Sequence, residues 1–150
     1  MTHQELWAAY RSVNPAAGEE YEAWAYGDQP DLLAELTRTG VKTATASAAI
    51  WYEIEDEPMP RAGEYSVILN SRDEAVCVTC TTRVYTVPFC EVSAEHARKE
   101  GEGDRSLAYW RQVHEDFFRA ELSEAGLTFA PDMPVVCEEF EAVYPPIKPV

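Results

Sequence analysis

No apolar run in this 150-residue chain approaches the roughly 20 consecutive residues that a membrane-spanning helix needs. The opening stretch, MTHQELWAAYRSVNP, lacks a basic segment followed by an apolar one, so no secretory leader is expected and the expected location is cytoplasmic. Basic side chains are scarce. Twelve Lys and Arg stand against 27 Asp and Glu, a net charge of −15. Affinity for long nucleic acids rests on neutralising many phosphates, so this balance disfavours a duplex DNA partner. A small neutral substrate meets no such barrier, and a local basic pocket still leaves room for a short strand.

Other absences narrow the chemistry. There is no G-x-S-x-G elbow, no H-E-x-x-H, no phosphate-cradling glycine loop and no dinucleotide fingerprint. There are only four cysteines, and the pair in CVTC lies within VCVTCTTRVYTV, a β-branched run that reads as a strand. Residues three apart on a strand face opposite sides, and no second cysteine pair completes a tetrahedral site. These thiols are read as reduced and core-forming, and no metal or cofactor is expected.

With 46% hydrophobic and 26% charged residues, the chain has the composition of a globular domain rather than a disordered one. Residues 1–150 read as a single domain with an N-terminal helical extension over about 1–25. Leu6, Ala9, Tyr10 and Val13 have helical spacing, closed by Asn14-Pro15. A short helix is expected over Glu19–Trp24. Another is expected from Asp28 as N-cap through Pro30 to Gly40, and a further one over about Thr43–Tyr52. EYSVILN and EAVCVTCTTRVYTV then read as strand, tight turn, strand. Ser93 caps a short helix through Lys99. Asp104 or Ser106 caps a long one to about Ala125, with Leu107, Trp110, Val113, Phe117 and Leu122 on one stripe. VVCEEFEAVYP returns to the sheet. The expected class is α+β: helices first, then a mostly antiparallel, curled sheet.

Within TGVKTATASAA, Lys42 precedes the helix expected at Thr43. A helix start disfavours a cation, which should lower the basicity of the lysine, and Thr45 lies near the same face. A weakly basic lysine beside a hydroxyl is the arrangement of a base and its nucleophile. A solvated lysine before a capping threonine fits the same stretch. Glu91, among Phe89, Cys90 and Val92, is either a partly buried acid or an exposed residue before the next cap. Tyr26 beside Gly27, with Trp24, offers a wall on which a base could stack; core packing also accounts for them. Trp110 and His114 lie four apart on one helix. Trp110 fits a core position as well as a ligand platform, and His114 a hydrogen-bonded helix position as well as a catalyst. Arg61 fits a solvated position or a contact to a polar group. Glu102 and Asp104 could coordinate a metal, but no partner set with metal spacing is visible, and capping by Asp104 or Ser106 is the stronger reading.

WAYGD, GVKTATAS, PRAGEYSVIL and PFCEVSAEHARKEGEGDRSLAYWRQVHEDFF together resemble the ASCH domain family, over about Trp24 to Tyr144. The resemblance implies a PUA-like curled β-barrel with helices packed around it. Some short bacterial members look like amidohydrolases that remove the acetyl group of N4-acetylcytidine with a lysine, a threonine and a glutamate. Carried onto this chain, those roles fall to Lys42 as base, Thr45 as nucleophile and Glu91 as acid or orienting group. Trp24, Tyr26, Arg61, Asp104 and Trp110 are then the expected substrate contacts. Other members act on or bind single-stranded RNA, so a modified nucleoside and a short RNA are the two partners implied. The oligomeric state is left open.

Overall fold

Thr2 and Glu5 close a capping box on the first helix, α1 (His3–Val13): each side chain accepts the backbone N–H of the other, at 3.1 and 3.2 Å. The computed structural model describes residues 1–147. After α1 the order is β1 (Glu22–Ala25), α2 (Pro30–Arg38), β2 (Ala44–Ala48), α3 (Ile50–Ile54), β3 (Tyr65–Leu69), β4 (Ala75–Pro88), α4 (Ala94–Glu100), α5 (Leu107–Glu124) and β5 (Pro134–Tyr144). The five strands form one sheet in the order β1-β3-β4-β5-β2. All neighbours are antiparallel except β1 and β3, which run parallel.

The expected α+β class forms, as a curled half-barrel with five helices packed around it. The curl has a local cause. Irregularities in register occur at Ile68/Leu69, Val78/Thr79 and Thr81/Arg83, and each extra residue bends its strand and increases the twist. The long strand β4 therefore pairs with β3 through its first half and continues along β5 to Pro88.

Alternation along β3 puts a helix on each face. Val67 and Leu69 pack with Leu6, Trp7 and Tyr10 of α1, whereas Ile68 packs with Leu33 and Ala34 of α2. The far half of the sheet is closed by α4 and α5, with Val135 and Cys137 of β5 against Ala97, Trp110, Phe118 and Leu122. No disulfide forms; Cys77 and Cys137 are buried as free thiols, which burial pushes up to about 12.

Two expected helices are in part strands. The one expected over Glu19–Trp24 gives way to the short edge strand β1, and half of the one over Thr43–Tyr52 is β2, with its end, from Ile50, helical in α3. ATASA contains good helix formers, yet it alternates in period two. Ala44 and Ala48 are fully buried, and all five residues pair with Val135–Glu139 of β5. Burial against a partner strand overrides a propensity of a few tenths of a kcal/mol per residue. At α2 the N-cap position is Gln29, not Asp28, and no side chain caps it.

Candidate active site

Lys42 sits between the end of α2 and the start of β2, so no helix begins there. The helix dipole invoked from the sequence has no helix to supply it. Two backbone bonds hold the segment: the Lys42 N–H donates to the Leu36 carbonyl at 2.9 Å, and the Thr43 N–H to the Lys99 carbonyl at 2.7 Å. The second ties the lysine to the end of α4. There Gly101 has a φ of +73°, and a Cβ at this position would lie 2.5 Å from the Val41 carbonyl oxygen. Only glycine allows both the left-handed turn and so close an approach.

The lysine side chain is 2% exposed and points into a buried polar cluster. Its Nζ lies 3.2 Å from Glu100 Oε1 and 3.1 Å from Glu102 Oε2, and 5.3 Å from the centroid of the Tyr26 ring. Glu100 is itself 1% exposed and is held by four donors. Oε1 faces Lys42 and His114 Nε2, at 3.2 Å each. Oε2 receives His96 Nε2 and Trp110 Nε1, at 2.6 Å each. Burial alone would push this carboxyl up. The Lys42 and His114 charges and the histidine hydrogen bonds outweigh burial and hold it well below the usual carboxylate range.

Two acceptors face the His114 ring. Its Nε2 lies 3.2 Å from Glu100 Oε1, and its Nδ1 faces the Trp110 carbonyl at 2.9 Å. Acceptors at both nitrogens favour the protonated ring. Burial opposes this, but Glu100, by charge and by hydrogen bond, leads the effects that hold the His114 pKa above its ordinary value. Glu100, Glu102 and His114 could by spacing hold a cation, with ligand atoms within 4.8 Å of one another. Lys42 Nζ already pairs with both carboxylates, so a side-chain cation stands where a metal would.

Two cavities with shared lining residues lie here, and the smaller is lined by this cluster. The smaller, about 80 Å³, is lined by Lys42, Thr45, Glu100, Glu102, His114 and Tyr26. The larger, about 380 Å³, lies between the two edge strands, with Trp24 of β1 on one wall and Thr45 and Ser47 of β2 on the other. Thr45, Tyr26 and Phe117 belong to both. The Thr45 hydroxyl makes no hydrogen bond among the described residues.

The model of the ASCH domain matches residues 22–144. The chain belongs to the ASCH domain family. Among solved structures, this ASCH domain is similar to the ASCH domain of Lactobacillus crispatus JV V101, at 32% identity with a TM-score of 0.86, over 93% of this chain and 92% of that one. It is also similar to a protein of Enterococcus faecalis V583, at 33% identity with a TM-score of 0.85, over 93% and 86%. A third structure, a hypothetical protein at 16% identity and a TM-score of 0.53 over 83% and 100%, shares the fold alone. No curated protein matches the chain. Among the described residues no helix is long and apolar enough to cross a membrane.

Of the residues singled out in the sequence, the ASCH fold brings Lys42, Thr45, Trp24 and Tyr26 to these cavities. Trp110 lines neither; it lies beneath, stacked on His114 at 4.2 Å and bonded to Glu100. Glu91 is exposed on the single turn after β4 and lines neither cavity. Arg61 is exposed in the loop before β3. Asp104 is exposed and accepts the Ser106 N–H at 2.9 Å before α5. The carboxylates at Lys42 are Glu100 and Glu102, which the sequence reading did not assign. The spacing of His96 with Glu100 and of Trp110 with His114, four residues each on two helices, was the available signal.

Proposed function

We propose that this ASCH domain hydrolyses the amide of an acylated exocyclic amine, on a nucleoside such as N4-acetylcytidine. The observation that carries this reading is a buried lysine, clamped by two carboxylates, sharing one small cavity with an unengaged threonine hydroxyl. Thr45 Oγ is the nucleophile. As it attacks the carbonyl carbon, its proton passes to the Lys42–Glu102 pair, and the ammonium end of that pair faces the developing oxyanion. Collapse breaks the C–N bond, and the departing nitrogen takes the proton back from the pair. Water then cleaves the acyl–Thr45 ester and restores the hydroxyl. Glu100, fixed by His96, Trp110 and His114, positions Lys42, and replaces Glu91 in the orienting role.

The larger chamber supports a base-sized occupant. Its volume is within the range of small-molecule sites, and Trp24 and Tyr26 offer aromatic walls. Five glutamates line it and, among the described residues, no Lys, Arg or His does. Such a lining repels phosphate and favours the small-molecule reading over strand binding or strand cleavage.

The test is turnover of N4-acetylcytidine by Lys42→Ala and Thr45→Ala, with folding checked by circular dichroism. Each loses at least about 10²-fold in kcat/KM. Full turnover in folded protein, or tight binding of single-stranded RNA that weakens steeply with salt, overturns the proposal.

A further inference from the structure

Glu138 is the carboxylate that nothing so far employs. It lies on β5 directly opposite Thr45 of β2 in the antiparallel register, and both residues line the larger chamber. Opposed residues on one face of such a pair hold their Cβ atoms roughly 4.5–5.5 Å apart. A carboxylate and a hydroxyl at that spacing can hold one water between them. The Glu138 side chain makes no hydrogen bond or ion pair among the described residues, although it is half-buried. A half-buried carboxylate without a partner costs stability, so its presence beside the nucleophile calls for a chemical reason.

We propose that Glu138 is a further catalytic residue, the general base for the second half of the reaction. The inference rests on Thr45 as the nucleophile. The Glu138 carboxylate takes a proton from a water as that water's oxygen bonds to the acyl carbon of the acyl–Thr45 ester. The C–Oγ bond then breaks, Thr45 Oγ receives the proton from Glu138, and the acid product leaves. The base is regenerated, and no co-reactant besides water enters.

The surroundings suit the task. Burial first, then the charges of Glu64 and Glu22, push the Glu138 carboxyl up to about 7. A base works best when its pKa lies near the working pH. The groups that share the chamber with it are Glu22 of β1, Tyr26, Tyr52 of α3 and Glu57 in the following loop. Glu64 and Tyr65 at β3 and Glu121 of α5 complete them. Among the described residues none is a cation, so none of them holds Glu138 permanently ionised.

Glu138→Gln decides the question, with N4-acetylcytidine and, independently, p-nitrophenyl acetate as acyl donors. The expected result is an acyl adduct on Thr45 that accumulates, read by intact mass and peptide mapping, with kcat lowered about 10²–10⁴-fold. Glu138→Asp keeps a carboxylate and recovers part of the rate. In the unsubstituted protein kcat rises through about pH 7 as Glu138 ionises. Glu22→Gln with Glu64→Gln removes two repelling charges and moves that limb to lower pH, a shift that a merely structural role would not produce. An adduct on Thr45 of Glu138→Gln that is released at the unsubstituted rate, or a limb unmoved by the double substitution, overturns the role of Glu138 alone. Failure of either reagent to acylate Thr45 in any form overturns the nucleophile assignment and this inference with it.

Discussion

Lys42 and Glu100 stand 58 residues apart in the chain and meet at 3.2 Å, both side chains about 1% exposed. The pair is unequal in what each partner leaves behind. Without Lys42, Glu100 keeps three donors: His96, Trp110 and His114. Without Glu100, all four donors lose a common acceptor. Glu100→Ala should therefore cost about 3–5 kcal/mol and Lys42→Met about 1–3 kcal/mol. Urea denaturation checks the order, and equal costs would mean that Glu102 compensates for Glu100.

The charge of His114 has a pH signature. Its pKa is raised in the folded protein, so the stability it contributes is fully present below its ordinary value of 6.5 and is lost as pH rises through the folded value. Glu100 behaves oppositely: its contribution is present above 4.5 and is lost as pH falls toward its depressed folded value. Melting temperature against pH should fall on both sides, and His114→Gln should flatten the alkaline side and, by removing one of the charges that hold Glu100 low, bring the acid-side loss to higher pH. Nitrogen-15 NMR should show the His114 ring losing its proton at higher pH than an ordinary histidine; a midpoint at or below the ordinary value would refute the assignment.

Glu138→Gln should stabilise the protein where the unsubstituted carboxylate is forced to ionise. With its carboxyl raised from 4.5 to about 7, Glu138 makes its own contribution most favourable below pH 4.5, with loss as pH rises through about 7. The substitution should gain about 1–3 kcal/mol at pH 8 and nothing at pH 4. Paired denaturation curves at the two pH values check this, and a destabilised variant at pH 8 would count against an unpartnered carboxylate.

Gly101→Ala and Gly63→Ala separate backbone strain from collision. Both glycines have positive φ, +73° and +92°. At Gly63 an added Cβ meets nothing within 4 Å, whereas at Gly101 it meets the Val41 carbonyl oxygen at 2.5 Å. The expected costs are about 1–2 kcal/mol at Gly63, from the left-handed turn alone, and clearly more at Gly101. Only the second should reduce turnover, because it displaces the segment that carries Lys42. Thermal denaturation and kcat/KM report the two effects.

Much of the fold was legible where local signals agree. The spacing of Leu6, Ala9, Tyr10 and Val13, closed by Asn14-Pro15, marked α1, and Ser106 with the Trp110 and Leu122 stripe marked α5. The β-branched runs around the Asn70–Glu74 turn marked β3 and β4. Lys42 and Thr45 were legible as a pair, but for a wrong physical reason, since the supposed helix there is a strand.

The sequence by itself determined the α+β class, the strongly acidic surface, the well-capped helices and the hairpin, because each follows from interactions within a few residues. Tertiary structure decided the rest. Small alanine-rich segments such as ATASA take the geometry of whatever they pair with, and β5 made this one a strand. The choice of Glu100 over Glu91 depended on which carboxylate the fold brings to a lysine on a distant segment. Burial and long-range charge set that outcome, and neither is encoded in a residue's immediate neighbours.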